Sequence, residues 1–244
     1  MREHRLYTEQ PLGVGKDLEL EPRPAKHAAQ VLRLNAGDLL TLFNGDGRDY
    51  SAEIQACTRR QVRLRVLGVG GPESPPPLGI SLALGISRGE RMDLALQKAV
   101  ELGVGAIQPL FSSRTLVRLN DDRLAKRAQH WRGVVIAACE QSKRRRLPRL
   151  SPAVPLRLWL DQQHSGGILL HHEAHRAITE LPQPQEQLTL LIGPEGGLSG
   201  DERECAQAQG FIPVRLGPRV LRTETAPLAA IAAIQTLWGD FKAT

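Results

Sequence analysis

Four charged residues in two glycine-rich loops near the C-terminus are the best candidates for chemistry in this chain. Glu195 lies in the first loop, and Arg219, Arg222 and Glu224 lie in the second. Carboxylates can transfer protons and guanidinium groups can stabilise negative charge, whereas a tight turn needs neither group. Either loop alone is most simply a turn, but charges in both loops favour a site.

Each loop follows a short apolar run that predicts a strand. The runs are residues 188–192 and 212–216, and neither has the polar alternation of a half-exposed strand. Such runs suit strands buried on both faces of a parallel sheet. Both loops are therefore expected at the carboxyl edge of one sheet, where open α/β folds bind ligands.

The second loop leads into a predicted helix. Residues 228–235 have the alanine-rich apolar spacing of a helix, with Thr225 as the predicted N-cap and Pro227 in the first turn. Much of this helix is apolar, so it needs cover from its own domain or from a second subunit.

Three stretches together resemble the RsmE family of small-subunit ribosomal RNA methyltransferases, within the SPOUT superfamily. They are residues 27–33, 193–197 and 216–226, and residues 87–92 and 137–142 also match in order. The resemblance covers about residues 2–240. It implies an α/β fold with a deep trefoil knot over residues 78–244. It also implies a small PUA-like, OB-related β-barrel that holds RNA over residues 1–72.

The activity that the resemblance implies is methylation of N3 of a uridine in the decoding region of 16S rRNA, with S-adenosylmethionine as donor. N3 of uracil carries a proton that must leave, so the reaction needs a base or stabilisation of the uracil anion. Glu224 or Glu195 is the expected base, and Arg222 or Arg219 is expected to stabilise charge on the uracil oxygens.

The cofactor is expected to lie against both loops. Glycines allow the main chain to approach a ligand closely, and apolar residues beside them could line a slot for adenine. The Gly-x-Gly-x-x-Gly pattern of dinucleotide sites is missing after the strand predicted over 80–86, and no metal is expected. The expected cofactor-binding residues are Leu191, Ile192, Gly193, Pro194, Glu195, Gly196, Gly197, Leu216, Gly217, Val220, Leu221, Thr225 and Ala226.

Composition indicates an anionic partner and a cytoplasmic protein. The net charge of +6 fits nucleic acid or an anionic membrane, and 4% aromatic residues argue against extensive base stacking. The three cysteines are widely spaced and predict neither disulfides nor a zinc site. The charged start lacks the apolar core of a signal peptide, and no stretch is long enough to span a membrane.

The first seventy residues predict a small β-rich module. Strands over 39–43 and 50–54 flank a glycine-rich turn, and alternation over 61–67 predicts a strand with Arg63 and Arg65 facing outward. Those arginines fit a solvated face better than base recognition. Residues 68–79 form a proline-rich linker, where the domain boundary is predicted.

The remaining predicted elements form the large domain. A strand over 80–86 is followed by a helix over 89–103, a strand over 106–111, a long helix over 121–144 and a short strand over 168–170.

Four further features have competing interpretations. The run Lys143–Arg146 suits either the C-terminal dipole of its helix or RNA phosphate. His171, His172 and His175 lack the spacing of a zinc helix, so a metal site is disfavoured. Cys139 follows the apolar residues 136–138 and is interpreted as a buried helical residue. A role as nucleophile is disfavoured, since attack on C6 serves methylation at carbon and not at N3. Glu140, Gln141 and Ser142 suit either a substrate contact or an exposed helix end.

The expected partners are 16S rRNA or the assembled small subunit, and a second copy of the chain that forms a homodimer. One alternative is a SPOUT methyltransferase with another target, such as a ribose 2′-O. The other is a non-catalytic RNA-binding factor, against which the intact glycines of both loops count.

Overall fold

The computed structural model describes residues 4–116, 121–163 and 165–242. The first three residues of the charged start therefore lie outside the described part. The chain divides into two compact units. The first comprises residues 1–75 and 139–147, and the second comprises residues 76–138 and 148–244.

The first unit is built on a five-stranded sheet in the order β1-β3-β4-β5-β2. The β1–β3 pair is parallel, and the other three pairs are antiparallel. Alternate residues of β4 and β5 are buried, as the two-residue period of a strand requires. The strands are β1 (Arg5–Tyr7), β2 (Asp17–Glu19), β3 (Leu39–Phe43), β4 (Tyr50–Cys57) and β5 (Val62–Val69).

The predicted hairpin of the first unit is confirmed. Gly45 and Gly47 both have φ of 92°, in the left-handed region that glycine adopts without a Cβ clash. Arg63 and Arg65 are exposed on β5, as the alternation predicted. The helix expected near residues 25–34 consists of α1 (Pro22–Lys26) and a π-helical turn (His27–Val31).

Residues 139–147 belong to the first unit through hydrogen bonds and ion pairs. The buried Arg5 donates from Nη2 to Asp49 Oδ1 over 2.6 Å and from Nη1 to the Cys139 carbonyl over 3.2 Å. Arg145 Nε donates to Asp49 Oδ2 over 2.8 Å. One aspartate therefore joins cations from both segments. Nothing in the sequence pattern indicated this assignment, because the two segments are far apart along the chain.

The second unit is a parallel sheet of seven strands. Its order is β12-β10-β11-β6-β7-β8, and β9 also pairs with β7. Every pair is parallel, as expected from continuous apolar runs. The strands are β6 (Gly79–Gly85), β7 (Ala106–Phe111), β8 (Arg149–Leu150), β9 (Val154–Pro155), β10 (Gly167–Leu170), β11 (Gln187–Ile192) and β12 (Phe211–Val214).

The helices include two that sequence analysis missed. The long helices are α2 (Glu90–Glu101), α3 (Asp121–Ser142) and α6 (Thr225–Trp238). The missed ones are α4 (Leu156–Leu160) and α5 (Gly200–Ala208), and a 3₁₀ turn covers Ile178–Glu180. Within the described ranges, every helix is too short or too polar to cross a lipid bilayer.

The predicted N-cap of α6 is wrong. Glu224 occupies that position with a helical backbone and no side-chain capping bond, and Thr225 is already the first helical residue. Because the chain enters this helix from a tight turn closed by a Thr225 N to Arg222 O bond of 2.9 Å, the helix starts earlier than residue types suggested.

Candidate functional site

The first glycine-rich loop, residues 193–199, leaves β11 by folding tightly on itself. A Cβ on Gly193 would lie 2.9 Å from both Gly197 C and Leu198 N, which are backbone atoms that have no room to move aside. Gly197 has φ of +67° and donates its N–H to the Pro194 carbonyl over 2.8 Å. The loop conformation thus depends on glycine at both positions.

The first loop is fastened to the segment after β7. Glu202 is buried, and its carboxylate accepts hydrogen bonds from Ser113 N at 2.7 Å and Ser199 N at 2.9 Å. Arg114 Nη1 donates to the Gly196 carbonyl over 3.0 Å. Burial alone would raise the pKa of Glu202, but the hydrogen bonds from Ser113 and Ser199 outweigh it and lower the pKa. Ser199 and Glu202 also form the capping box that starts α5, a signal that sequence analysis overlooked.

Glu195 is held by groups that follow β6. Its Oε1 accepts a hydrogen bond from Arg88 N at 3.0 Å and lies 3.5 Å from Arg91 Nη1. The side chain is 17% exposed. These two contacts hold the Glu195 side chain in a fixed position.

The second loop, residues 215–224, is joined to the first through Thr223. This buried hydroxyl donates to the Gly193 carbonyl over 3.3 Å and lies 3.1 Å from Ser87 Oγ, which follows β6. Gly85, at the end of β6, also packs directly against the backbone of Gly193 and Pro194. The tertiary structure therefore brings three loops together at the carboxyl edge of the sheet.

The charged side chains of the second loop differ in exposure. Arg219 and Arg222 are exposed, and Val220 is 75% exposed. Glu224 is half-buried. Its Oε2 atom is buried and has no hydrogen-bond partner among the residues that the structure describes. A buried carboxylate oxygen without a partner is available to accept a proton.

A cavity of about 700 Å³ opens where the loops meet, within the range of small-molecule sites. Twelve predicted site residues line it: Ile192, Gly193, Pro194, Glu195, Gly196, Gly197, Leu216, Arg219, Val220, Leu221, Arg222 and Ala226. The lining also includes residues that sequence analysis did not select: Arg91, Arg114, Leu169, Leu170, His171, His172, Glu173, Leu198, Arg203 and Thr223.

Four predicted site residues do not line the cavity: Leu191, Gly217, Glu224 and Thr225. Leu191 belongs to the hydrophobic core, because neighbouring side chains of a strand point to opposite faces and Ile192 takes the cavity side. Thr225 is exposed in the first turn of α6. Glu224 is flanked in sequence by Thr223, which does line the cavity.

Comparison with known proteins identifies the family. Residues 74–235 match the model of an RNA methyltransferase domain, and residues 23–67 match an RNA methyltransferase PUA domain. The ribosomal RNA small subunit methyltransferase E of Buchnera aphidicola (subspecies Schizaphis graminum) is 34% identical, with 97% of each chain covered. The chain belongs to the ribosomal RNA small subunit methyltransferase E family.

Two solved structures support this assignment. The methyltransferase E of Neisseria gonorrhoeae, bound to S-adenosyl methionine, is 39% identical with a TM-score of 0.91, covering 99% of this chain and 100% of that one. A Legionella pneumophila protein in complex with the bound cofactor SAM is 38% identical with a TM-score of 0.95 and the same coverage. The predicted fold class, a SPOUT-type α/β domain with a small PUA-like module, is confirmed. The trefoil knot stays a prediction.

A fourth loop, after β10, adds two histidines and a glutamate to the cavity wall. His171 and His172 have ring centroids 5.1 Å apart, and each has its Nε2 3.7 Å from a Glu173 carboxylate oxygen. Burial lowers the pKa of His171, and Arg203 and His172 lower it further. The parallel alignment of β10 with β11 and β12 explains why this loop joins the site. Throughout the described residues, no group of three or more metal-ligating side chains is suitably placed to hold an ion.

The predicted interpretation of Cys139 agrees with the structure. Cys139 is 0% exposed and belongs to the first unit. Burial raises the pKa of its thiol to about 11, although Arg144 and Arg5 oppose the shift. A thiol that stays protonated at neutral pH is a poor nucleophile.

The run Lys143–Arg146 follows the end of α3 and makes structural contacts within the first unit. Arg145 pairs with Asp49, and the main-chain N–H groups of Arg145 and Arg146 donate to Glu73 Oε2 over 2.8 and 3.0 Å. This contact anchors residues 139–147 in the first unit. Glu140 also has a structural role, since its Oε1 accepts a hydrogen bond from Tyr7 N at 3.0 Å.

Proposed function

We propose that this chain methylates N3 of a uridine in the decoding region of 16S rRNA, with S-adenosylmethionine as the methyl donor. The observation that carries the proposal is the cavity at the carboxyl edge of the sheet, in a chain whose family acts on small-subunit ribosomal RNA. The Neisseria gonorrhoeae relative holds S-adenosyl methionine, which supports the choice of donor.

The cavity residues fit this donor. Main-chain groups of residues 193–197 are accessible because glycines replace side chains, and the side chains of Ile192, Leu216 and Leu221 supply an apolar wall for adenine. The arginines of the lining can bind the donor carboxylate, and Glu195 offers negative charge to a sulfonium. When bound, S-adenosylmethionine supplies an electrophilic methyl group.

Glu224 is the proposed base, because the two candidate carboxylates have different surroundings. Glu195 is held in a fixed position by Arg88 N and Arg91. Glu224 follows Thr223, which lines the cavity, and its buried Oε2 has no partner among the described residues, so the proposed role requires the second loop to present this oxygen to the imide proton of uracil. Glu195 is accordingly proposed to shape the cofactor loop.

Arg222 is the proposed stabiliser of negative charge on the uracil oxygens. It lines the cavity, is exposed and lies two residues from Glu224. Arg219 lines the same cavity and is kept as the second candidate. A guanidinium near the uracil oxygens would lower the free energy of the anion formed when N3 loses its proton.

We also propose that the enzyme acts in the cytoplasm, on free 16S rRNA or on the assembled small subunit, and as a homodimer. Support for the dimer comes from apolar side chains exposed at the C-terminus and on the second loop. Leu237 is 36% exposed, Phe241 48% and Val220 75%. Apolar area of this kind is covered when a second copy packs on it.

The test combines cofactor binding with product identification. Calorimetric titration of the purified protein with S-adenosylmethionine is expected to show binding, and mass mapping of treated 16S rRNA and 30S subunits is expected to show 3-methyluridine. Binding with a different modified nucleoside, such as a 2′-O-methylated one, would replace the substrate. Failure to bind the donor would make the protein a non-catalytic RNA-binding factor.

A further inference from the structure

Two segments of the first unit carry cations and no acidic residue. Residues 22–36 contain Arg23, Lys26 and Arg33, and residues 56–62 contain Arg59 and Arg60. All five side chains are exposed. Among described residues, the side chains of Lys26, Arg33, Arg59 and Arg60 form no ion pair. Their charge is therefore uncompensated by direct partners.

The two segments form one continuous surface. Gln30 Nε2, in the π-helical turn, donates to the Arg59 carbonyl over 3.3 Å. Ala29 and Leu32 from the first segment pack with Cys57 from the second against one hydrophobic core. We call Lys26, Arg33, Arg59 and Arg60 the turn cluster. Since both segments rest on the same core, the cluster is a preformed surface of the module.

The acidic side chains that flank the first segment are engaged elsewhere. Glu21 accepts hydrogen bonds from Thr8 Oγ1 and Glu9 N, each at 2.9 Å. Asp38 accepts a hydrogen bond from Asn35 N at 2.7 Å. These carboxylates make local hydrogen bonds and, among the described residues, form no ion pair with the cations of the turn cluster.

The arginines of β5 are in the opposite situation. Arg65 lies between Asp17 on β2 and Glu53 on β4 in the strand register, and its Nε is 3.9 Å from Asp17 Oδ1. Arg63 lies opposite Glu19 on β2. Acidic residues directly across from Arg63 and Arg65 on the neighbouring strands neutralise the exposed face of β5. Exposed arginine alone therefore does not identify an anion-binding face of this module.

The backbone around the turn cluster is irregular. The π-helical turn of residues 27–31 interrupts the helix, and Arg33 has φ of 56°. Non-glycine residues other than Asn and Asp seldom adopt this left-handed conformation, and such strain is concentrated at functional sites. Here the strained residue is an exposed cation.

We propose that the turn cluster is the surface by which the first unit binds the phosphate backbone of ribosomal RNA. The inference rests on the proposed function, since that function supplies RNA as the partner. Four cations without an acidic partner among the described residues can each bind a phosphate, whereas the neutralised face of β5 would gain little from phosphate. Arg59 and Arg60 lie at the tip of the β4–β5 turn, where a backbone can approach without a steric barrier.

The test compares two double variants with equal charge loss. Arg59→Gln/Arg60→Gln removes two members of the turn cluster, and Arg63→Gln/Arg65→Gln removes the two β5 arginines as the matched control. Affinity for a 16S rRNA transcript is measured by filter binding across a salt series. The first variant is expected to bind about ten-fold more weakly, with a log–log salt slope smaller by about 1 to 2, and the control should change the slope by less than about 0.5. Equal losses in both variants, or no loss in the first, would overturn the proposal.

A third variant separates charge from folding. Arg33→Gly removes a cation and places glycine where φ is positive, so the melting temperature should stay level or rise while RNA affinity falls. Unchanged RNA affinity in this variant would show that Arg33 does not belong to the RNA-binding surface.

The proposed function and this surface can fail separately. If the wild type forms 3-methyluridine while Arg59→Gln/Arg60→Gln binds RNA normally, only the surface assignment is lost. If the wild type binds RNA through the turn cluster but forms no 3-methyluridine, the proposed reaction is lost and the surface stands. S-adenosylmethionine affinity is measured in each variant and should not change, because the cofactor cavity is lined by residues of the second unit alone.

Discussion

Individual carboxylates of the site do different work because their hydrogen-bond partners differ. Glu195 and Glu202 each accept hydrogen bonds from main-chain N–H groups, and these bonds lower the pKa of Glu202. Glu224 Oε2 is buried without a partner among the described residues. The contacts of Glu195 and Glu202 hold the first loop in place, whereas Glu224 is the carboxylate proposed to exchange a proton.

The role of Glu224 as base predicts a specific kinetic loss. Glu224→Gln keeps the shape of the side chain but cannot accept the imide proton, so kcat should fall about 10²- to 10⁴-fold. Affinity for S-adenosylmethionine should change by less than about three-fold. Single-turnover methylation of 16S rRNA and calorimetry measure the two quantities.

Glu195→Gln is the matched control, because it makes the same chemical change in the other candidate. Loss of the contacts to Arg88 N and Arg91 should weaken cofactor binding more than it lowers kcat. A near-normal kcat in Glu224→Gln, with a large loss in Glu195→Gln, would reverse the assignment.

The lowered pKa of Glu202 predicts a pH-dependent contribution to stability. Because the folded pKa lies below the ordinary value of 4.5, this group stabilises the fold fully above that value and loses its contribution as pH falls through the folded pKa. Glu202→Gln should be about 1–3 kcal/mol less stable than the wild type at pH 7. Urea unfolding at pH 7 and below pH 4 should show that the difference in unfolding free energy between the wild type and Glu202→Gln becomes smaller in acid. A difference that does not depend on pH would contradict this role of Glu202.

At the scale of elements, the loops after β6, β10, β11 and β12 are neighbours because their strands are parallel. Thr223 joins two of these loops by hydrogen bonds to Gly193 and Ser87. Glu202 links the start of α5 to the segment after β7. The cavity is thus shaped by contacts between elements that are distant in sequence.

Tight packing of the first loop predicts sensitivity at Gly193. The Cβ of Gly193→Ala would lie 2.9 Å from two backbone atoms, so the loop must move and S-adenosylmethionine affinity should fall at least about ten-fold. Gly196→Val should also weaken binding, since its Cβ would lie 3.1 Å from Arg114 Cβ. Gly200→Ala is the control, because nothing lies within 4 Å of the added Cβ. Calorimetric titration measures the S-adenosylmethionine affinity of the three variants. Equal affinities would show that the conformation of the first loop does not govern cofactor binding.

The anchoring of residues 139–147 predicts an asymmetry between two aspartates. Asp49→Asn leaves the buried Arg5 without its anionic partner and should cost about 2–3 kcal/mol of unfolding free energy. Asp17→Asn breaks an exposed 3.9 Å contact with Arg65 and should cost less than about 0.5 kcal/mol. Denaturant unfolding measures both values. Similar losses would mean that the Arg5 contact is not a stabilising one.

At the scale of the whole molecule, the proposed homodimer concerns the apolar C-terminus. Leu237 lies on α6 and is 36% exposed, so Leu237→Glu would place a charge in an interface formed there. Sedimentation velocity should show a dimer for the wild type and a dissociation constant at least about ten-fold higher for the variant. Leu158→Glu, on α4 with 51% exposure, is the control and should remain dimeric. A monomeric wild type would contradict the dimer.

The division into two units is also a property of the whole molecule. The linker near residue 75 was visible as a proline-rich stretch, and the first segment of the first unit runs to residue 75. The return of residues 139–147 to that unit was not visible, because it depends on contacts of Arg5, Asp49 and Glu73 with groups 72 to 134 residues away. Periodicity reports on local structure and carries no information about such pairings.

The sequence alone determined most of the longer strands and helices, the family and both glycine-rich loops, since buried strands, turns and motifs leave local signatures in residue type and spacing. Only the tertiary structure decided which side chains meet in the cavity. It added His171, Glu173 and Arg114, placed Leu191 in the core and gave Glu195 hydrogen-bond partners, whereas Glu224 Oε2 has none among the described residues. It also neutralised the arginines of β5 through acids on neighbouring strands. The reason is the same in each case. Packing sets the distances between remote residues and the burial of each side chain, and no local pattern in the sequence encodes packing.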